Sequence, residues 1–327
     1  MYPTLIDGRY DSEFPYRGCS TQLEQISETV KQITVMAHYK TYQFLLDDSV
    51  QSENVSRVLM RGKLPEPSYQ DHNVAGTGTI ISDNNGRIAL LTCAHVVDFP
   101  DTVVTRYREP NYRLTPYIRS ISIKSSQTTF LNEIAGSTSL EILAFDRDAD
   151  LTILGQELTA QQDARVRVFT YPLGRAKDLE WGSFVYLFGY PSGFRMITKG
   201  IVSLSKKNPP GSFIVDAVVS PGASGSIALA VRDGVPNFEL VGIIKMIAAR
   251  TSYVLKPSWL GDDVQYDPLE PYRGDLFVER KTEAHEGIAF AIPAETILSF
   301  IEENHQRLAR RGYDVRSWLT PPKTENK

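Results

Sequence analysis

The stretch Pro221-Gly222-Ala223-Ser224-Gly225-Ser226 sets one serine among small residues, as a tight turn that presents a nucleophile would. Two other stretches precede it, Leu91-Thr92-Cys93-Ala94-His95 and Asp148-Ala149-Asp150-Leu151. A histidine, an aspartate and a serine therefore occur in that order, separated by 55 and 74 residues. Such separations let each residue lie on a different part of a large β structure and still meet at one site. The pattern predicts an activated serine with a histidine base and an aspartate partner.

Short strand-like segments recur along the chain and predict an all-β fold, either a barrel or a sandwich. Asp83-Asn84-Asn85-Gly86 is a predicted hairpin turn, because Asn and Gly accept the positive φ that such turns need. Helix is predicted only near the ends, over about 21–30 and from Pro293 to about 311. The predicted strands cover 33–36, 39–46, 118–123, 139–145, 151–154, 184–189, 196–204, 213–219, 227–231, 240–247 and 287–291.

The stretch from about 250 to 286 separates the last two predicted strands. It is polar, contains several prolines and is longer than most connections in a compact domain. Long connections of this kind are usually functional or disordered. We therefore interpret it as an irregular loop that acts as a lid or a selectivity element.

Composition narrows the classes of partner. The formal net charge is −4, from 35 basic and 39 acidic residues, so we expect no nucleic-acid partner. No apolar run approaches the ~18 residues that span a bilayer, and the first residues lack the pattern of a secretory signal. With Cys19 and Cys93 as the only cysteines, a disulfide-stapled secreted protein is disfavoured. These features predict a cytoplasmic protein with no membrane partner.

Six segments together carry a family resemblance over about 75–295. In this order and composition they resemble the trypsin-like peptidases, most of all the HtrA-type branch. Ser226 stands where a second glycine is usual, and the chain is expected to lack a PDZ domain. The segments are Gly76-Thr77-Gly78 through His95, Asp148-Ala149-Asp150-Leu151, Gly189-Tyr190-Pro191-Ser192-Gly193, Thr198-Lys199-Gly200-Ile201-Val202-Ser203, Asp216-Ala217 with Ser220 through Ser226, and Gly287 through Pro293.

The resemblance implies a chymotrypsin-like fold of two six-stranded antiparallel β-barrels, with a short N-terminal helix and a C-terminal helix. Residues 1–30 would form the N-terminal extension and helix, and residues 31–295 the peptidase domain. Barrel 1 would cover about 31–160 and barrel 2 about 180–295. Residues 293–327 would form the C-terminal helix and tail.

The resemblance also implies a serine endopeptidase that cuts a protein or peptide substrate through an acyl-enzyme and needs no cofactor. Ser224 would be the nucleophile, His95 the base and Asp150 its partner, with the N–H groups of Gly222 and Ser224 forming the oxyanion hole. The primary pocket would hold small or medium-sized aliphatic side chains, or acidic ones if a lysine ammonium reaches it. Its predicted residues are Val218, Val219, Ile243, Ile244 and Lys245.

Two other interpretations were weighed. An α/β-hydrolase would need G-x-S-x-G and the order serine, acid, histidine, and the chain has neither. A catalytically silent binding module of the same fold remains open, because a fold alone does not establish catalysis. The remaining histidines are isolated in sequence, so no metal site is predicted; they are His38, His72, His285 and His305.

Overall fold

A computed structural model of the chain describes residues 6–12, 18–60, 64–109, 113–134, 138–163, 166–204, 212–257, 269 and 274–319. Its strands are β1 (Val30–Gln43), β2 (Ser68–Asn84), β3 (Arg87–Cys93), β4 (Thr102–Arg108), β5 (Leu114–Leu131), β6 (Glu141–Asp146), β7 (Leu151–Glu157), β8 (Phe184–Gly189), β9 (Met196–Leu204), β10 (Phe213–Asp216), β11 (Ile227–Val231), β12 (Phe238–Pro257) and β13 (Leu276–Pro293). The helices are α1 (Ser20–Thr29), α2 (Val55–Met60), α3 (Ala160–Asp163), α4 (Ala294–Arg310) and α5 (Arg316–Leu319). Short 3₁₀ turns lie at Leu46–Asp48, Ala94–Val96, Ala176–Asp178 and Pro191–Gly193.

The strands form two antiparallel layers. The second is a closed barrel of six strands in the order β10-β13-β12-β11-β8-β9, and this confirms the prediction for barrel 2. The first is a curled sheet of seven strands in the order β4-β5-β1-β2-β3-β7-β6, so the predicted closed six-stranded barrel is corrected for the residues described. The strand that was not predicted is β4. It is mostly exposed and shows no clear alternation of buried and exposed residues.

Alternate side chains of the second barrel belong to two different cores. Along β11, Ala228 and Ala230 pack inside with Val185 and Leu187 of β8. The residues between them join a larger core outside the barrel, which includes Ile227, Leu229 and Val231. Both faces of β8 and β11 are therefore covered, which accounts for their unbroken apolar sequences. Alanine on the inner face suits the narrow interior of a small barrel.

The larger core is continuous across the two layers. It contains Ile80 and Leu90 from the first sheet and Phe238 from the second barrel. Helix α4 buries Ile297 and Phe300 on one face and contacts β6 as well as β12 and β13. The predicted C-terminal helix is confirmed, and it connects both layers. Within the described ranges, no helix combines the length and apolar character that crossing a membrane requires.

The predicted hairpin turn is also confirmed. Asn85 and Gly86 have φ of 53° and 85°, and Asn84 pairs with Arg87 across the two-residue turn. Positive φ at both central residues is the geometry of a type I′ turn. The hairpin joins β2 to β3, the strand that ends just before His95.

At both of its ends the stretch of about 250–286, predicted as a long loop, is strand, so the loop prediction is wrong for 250–257 and 276–286; residues 258–268 and 270–273 lie outside the described residues. β12 continues to Pro257 and β13 begins at Leu276, and the two pair from Ala249–Ala284 to Pro257–Leu276. The extension is a two-stranded arm that projects from the barrel. The sequence did not predict this pairing, because the stretch is polar, contains several prolines and lacks the regular alternation typical of a half-buried strand.

Candidate active site

His95 and Asp150 are brought together by neighbouring strands. β3 ends at Cys93, β7 begins at Leu151, and these two residues are paired in the sheet. His95 lies in the 3₁₀ turn after β3, and Asp150 lies just before β7 with φ of 56°. An aspartate tolerates this left-handed conformation better than most residues.

The Asp150 carboxylate holds both the backbone and the ring of His95. Its Oδ2 lies 2.8 Å from His95 Nδ1, and its Oδ1 accepts a hydrogen bond from the His95 backbone N–H at 2.9 Å. The histidine side chain is 45% exposed and the aspartate side chain 21% exposed. This arrangement fixes the ring with Nε2 available to a nucleophile, which is what a base oriented by a carboxylate requires.

The backbone of Ser224, before the first residue of β11, contacts β2 of the first sheet. Its carbonyl accepts a hydrogen bond from Thr77 N–H at 2.8 Å. A Cβ placed on Gly76 would lie 3.4 Å from that carbonyl and 2.7 Å from Val96, the residue after His95. Among the described residues, the hydrogen bonds of the His95 ring go to Asp150 and none joins it to Ser224. The structure therefore shows a formed histidine–aspartate pair, and it places the backbone carbonyl of Ser224 near the strand residues that contact Val96.

The turn before Ser224 has the geometry of a type II turn. Ala223 N–H donates to Ser220 O at 3.1 Å, and Pro221 and Gly222 occupy the two central positions. Gly222 has φ of +98°, and only a type II turn combines proline at the first central position with positive φ at the second. A Cβ on Gly222 would lie 2.5 Å from Tyr190 O, so the site requires glycine.

Peptide orientation in this turn bears on the predicted oxyanion hole. The Pro221 carbonyl accepts a hydrogen bond from Ser192 N–H at 2.8 Å. Because C=O and N–H of a trans peptide point in opposite directions, the Gly222 N–H faces away from Ser192. In the described part of the chain, the N–H groups of Gly222 and Ser224 make no backbone hydrogen bond. Both donors are thus available to a substrate oxygen.

A partly buried polar cluster supports the segment beside this turn. Tyr190 O–H donates to the Glu133 carboxylate, and Lys31 Nζ lies 3.3 Å from Glu133 Oε2. Burial raises the pKa of Tyr190, and the neighbouring Glu133 carboxylate raises it further, so the hydroxyl keeps its proton. Sequence analysis missed this cluster because its members come from separate elements.

The predicted pocket residues fall into two groups. Val219, Ile243 and Ile244 are at most 3% exposed, and their side chains belong to the two cores. Val218 is 65% exposed, and Lys245 is half-buried. Val218 and Lys245 are therefore the members of the set with surface that a ligand could contact.

Lys245 and Asp150 both affect the pKa of the Cys93 thiol. Burial raises the pKa of the Cys93 thiol well above its usual range, Asp150 raises it further, and Lys245 lowers it. The thiol donates to the carbonyl of Ile244, the residue before Lys245, at 3.3 Å. Lys245 is thus close enough to the Cys93 thiol, two residues before His95, to affect its pKa.

Cys93, His95 and Asp150 place potential metal-ligating atoms within 4.8 Å of one another. A cysteine binds a metal as thiolate, and the raised pKa of Cys93 favours the neutral thiol. The Nδ1 atom of His95 is already engaged with Asp150. This cluster is thus better suited to orienting the histidine than to holding a cation.

The family described as "Trypsin-like peptidase domain" matches residues 76–243, a little over half of the 327-residue chain. The match begins at Gly76 and spans the His95, Asp150 and Ser224 segments. The chain belongs to this trypsin-like peptidase family. This membership confirms the resemblance inferred from the six segments.

Among solved structures, this trypsin-like peptidase is similar to the one titled "Crystal structure of Deg5". The two are 16% identical, and the alignment covers 86% of this chain and 90% of that one, with a TM-score of 0.41. A comparison with curated proteins found no match.

Proposed function

We propose that this chain is a serine endopeptidase that cuts protein or peptide substrates through an acyl-enzyme. The observation that carries the proposal is the His95–Asp150 pair, with Nδ1 2.8 Å from the carboxylate, beside a type II turn that frees two N–H groups. Ser224 lies at the end of that turn. These groups are the ones that acyl transfer needs, and they support the proposal.

The proposed reaction begins when Ser224 Oγ attacks the substrate carbonyl carbon and its proton passes to His95 Nε2. Asp150 stabilises the imidazolium that forms, through Nδ1–H. The carbonyl oxygen becomes negatively charged and accepts hydrogen bonds from the N–H groups of Gly222 and Ser224, which typically contribute a large share of the rate.

His95 then returns the proton to the leaving amine as the C–N bond breaks, leaving an ester on Ser224. A water molecule then attacks the ester carbonyl and gives its proton to His95. The bond between that carbon and Ser224 Oγ breaks, His95 returns the proton to Ser224 Oγ, and the acid is released. All of these steps use side chains and backbone groups of the chain, so the proposal includes no cofactor.

For substrate choice we propose an aliphatic or an acidic side chain before the cut bond. Val218 offers exposed apolar surface, and Lys245 is a half-buried cation that lowers the pKa of Cys93, two residues before His95. Hydrolysis rates of peptides with valine, leucine, aspartate or lysine at that position would distinguish the aliphatic preference from the acidic one. Both cysteines are buried free thiols, in keeping with our proposal of a cytoplasmic location.

A catalytically silent binding module is the second candidate. It is favoured by one observation: within the described residues, His95 and Ser224 do not share a hydrogen bond. Catalytic hydrogen bonds are often long before substrate binds, so this contact can form in the complex. Reactivity of Ser224 distinguishes the two candidates.

The test is labelling with a fluorophosphonate, located by mass spectrometry. The unaltered protein should carry the label on Ser224 and hydrolyse a denatured protein, and Ser224→Ala should do neither. Ser226→Ala is the matched control, because it removes a second serine from the same motif and should still be labelled. An unlabelled but folded parent protein would identify the chain as a binding module.

A further inference from the structure

Thr77 is a buried residue of β2 whose side chain contacts the second barrel. It is 0% exposed and lies between Gly76 and Gly78. A Cβ on Gly76 would lie 2.7 Å from Val96, and one on Gly78 would lie 2.5 Å from Ile33. The two glycines therefore let this part of the strand approach its neighbours closely.

The Thr77 hydroxyl is fully satisfied by groups of the second barrel. It donates to Gly222 O at 2.8 Å and accepts a hydrogen bond from Tyr190 N–H at 2.9 Å. Ser226 Oγ lies 3.5 Å away as a second, weaker donor. One donated and two accepted bonds are the full capacity of a hydroxyl.

The backbone of Thr77 contacts the same turn. Its N–H donates to Ser224 O at 2.8 Å, and its carbonyl accepts a hydrogen bond from the Thr92 hydroxyl at 2.6 Å. Thr77 therefore holds the carbonyl groups of Gly222 and Ser224, the two residues whose N–H groups form the proposed oxyanion hole. Thr92 in turn connects this contact to β3, the strand that leads to His95.

We propose that the Thr77 side chain is the positioning residue that sets the oxyanion turn from the first sheet. The inference rests on the proposed function and assigns a residue that stabilises its transition state indirectly. Glycine adopts either sign of φ with little penalty, so Gly222 does not by itself hold the turn at +98°. The Thr77 hydroxyl holds the Gly222–Ala223 peptide and so favours the conformation in which both N–H groups point at the substrate oxygen.

The experiment compares three variants of the full chain. Thr77→Val keeps the shape and removes the hydroxyl, Thr77→Ser keeps the hydroxyl, and Thr79→Val is the matched control. Thr79 lies two residues along the same strand, is 1% exposed, and its hydroxyl has no hydrogen-bond partner in the described structure. It therefore tests the effect of an identical substitution without the contact.

We expect Thr77→Val to lower kcat about 10- to 100-fold with KM within about twofold, since misplacing an oxyanion donor affects the transition state more than substrate binding. Thr77→Ser should recover most of kcat, and Thr79→Val should match the parent. Amide hydrogen exchange at Tyr190 should accelerate at least about tenfold in Thr77→Val only, because its N–H loses its acceptor.

Equal kcat in Thr77→Val and Thr79→Val, or a Thr77→Ser variant as slow as Thr77→Val, would overturn the inference. So would unchanged exchange at Tyr190 in Thr77→Val. Failure of the proposed function is distinguishable, because it appears in the parent protein as absent labelling and turnover. In that case the exchange rates of Tyr190 still decide whether Thr77 holds this segment.

Discussion

Gly222 shows how one residue determines the geometry of the site. Its φ of +98° and the 2.5 Å approach of Tyr190 O to its Cβ position both exclude a larger side chain. Gly182 offers a matched comparison, because its φ is +85° but nothing lies within 4 Å of its Cβ position. Alanine variants at these two glycines therefore distinguish the effect of backbone strain from the effect of displacing the turn.

We predict that Gly182→Ala lowers the free energy of unfolding by about 1 kcal/mol, the usual scale of alanine at positive φ, and leaves kcat unchanged. Gly222→Ala must also displace the oxyanion turn, so kcat should fall by about 10²-fold or more. Urea unfolding and peptide hydrolysis measure the two effects. Similar kcat values for both variants would mean that the turn does not form the oxyanion hole.

At the scale of elements, the arm formed by the ends of β12 and β13 is the main departure from what the sequence predicted. It exposes apolar side chains, among them Tyr253 at 73% and Leu255 at 68%. The barrel-forming parts of the same strands lie before Ala249 and after Ala284. The arm can therefore be shortened without removing a barrel strand.

Joining Ala249 to Ala284 through Asn-Gly, a pair suited to a two-residue hairpin, should preserve folding and fluorophosphonate labelling. We predict that kcat/KM for protein substrates changes several-fold while that for short peptides does not, because the arm offers contacts remote from the cut bond. The control is Tyr253→Ser with Leu255→Ser, which keeps the arm and removes apolar surface. Unchanged kinetics on both substrate types would contradict a role in substrate selection.

At the scale of the whole molecule, six buried or partly buried tyrosines have raised pKa values. Burial raises the pKa of each and takes that of Tyr186 to about 12. The native state therefore retains protons that the unfolded chain releases above about pH 10. The tyrosines are Tyr10, Tyr39, Tyr171, Tyr186, Tyr190 and Tyr313.

Because these pKa values are raised on folding, their stabilising contribution is complete below the unfolded value and is lost as the pH rises. We predict that the free energy of unfolding falls between about pH 9 and pH 11, by up to about 1.4 kcal/mol per pH unit for each tyrosine that stays protonated. Urea unfolding across this range measures it. Tyr186→Phe should make the fall of the free energy of unfolding with pH less steep, by the contribution of one tyrosine. A free energy of unfolding that stays constant over this pH range would contradict the prediction.

Much of the architecture follows from local sequence. The segments 184–189, 196–204 and 227–231 were predicted as strands and form β8, β9 and β11 with those bounds. The hairpin turn at Asn85 and Gly86 was predicted from residue type alone. These features depend on neighbours in the chain, so local patterns determine them.

The order of His95, Asp150 and Ser224, together with the glycine before the serine, was likewise sufficient to nominate one candidate site. Only the tertiary structure decided that β4 joins the first sheet and that residues after Ala249 form an arm. It also decided that Val218 and Lys245 keep exposed surface while Ile243 does not. The hydrogen bond from the Thr77 hydroxyl to Gly222 O was also decided only by the tertiary structure, since 145 residues separate the two. Strand pairing and burial depend on partners distant in the chain, whereas residue type and spacing report only what each segment can do by itself.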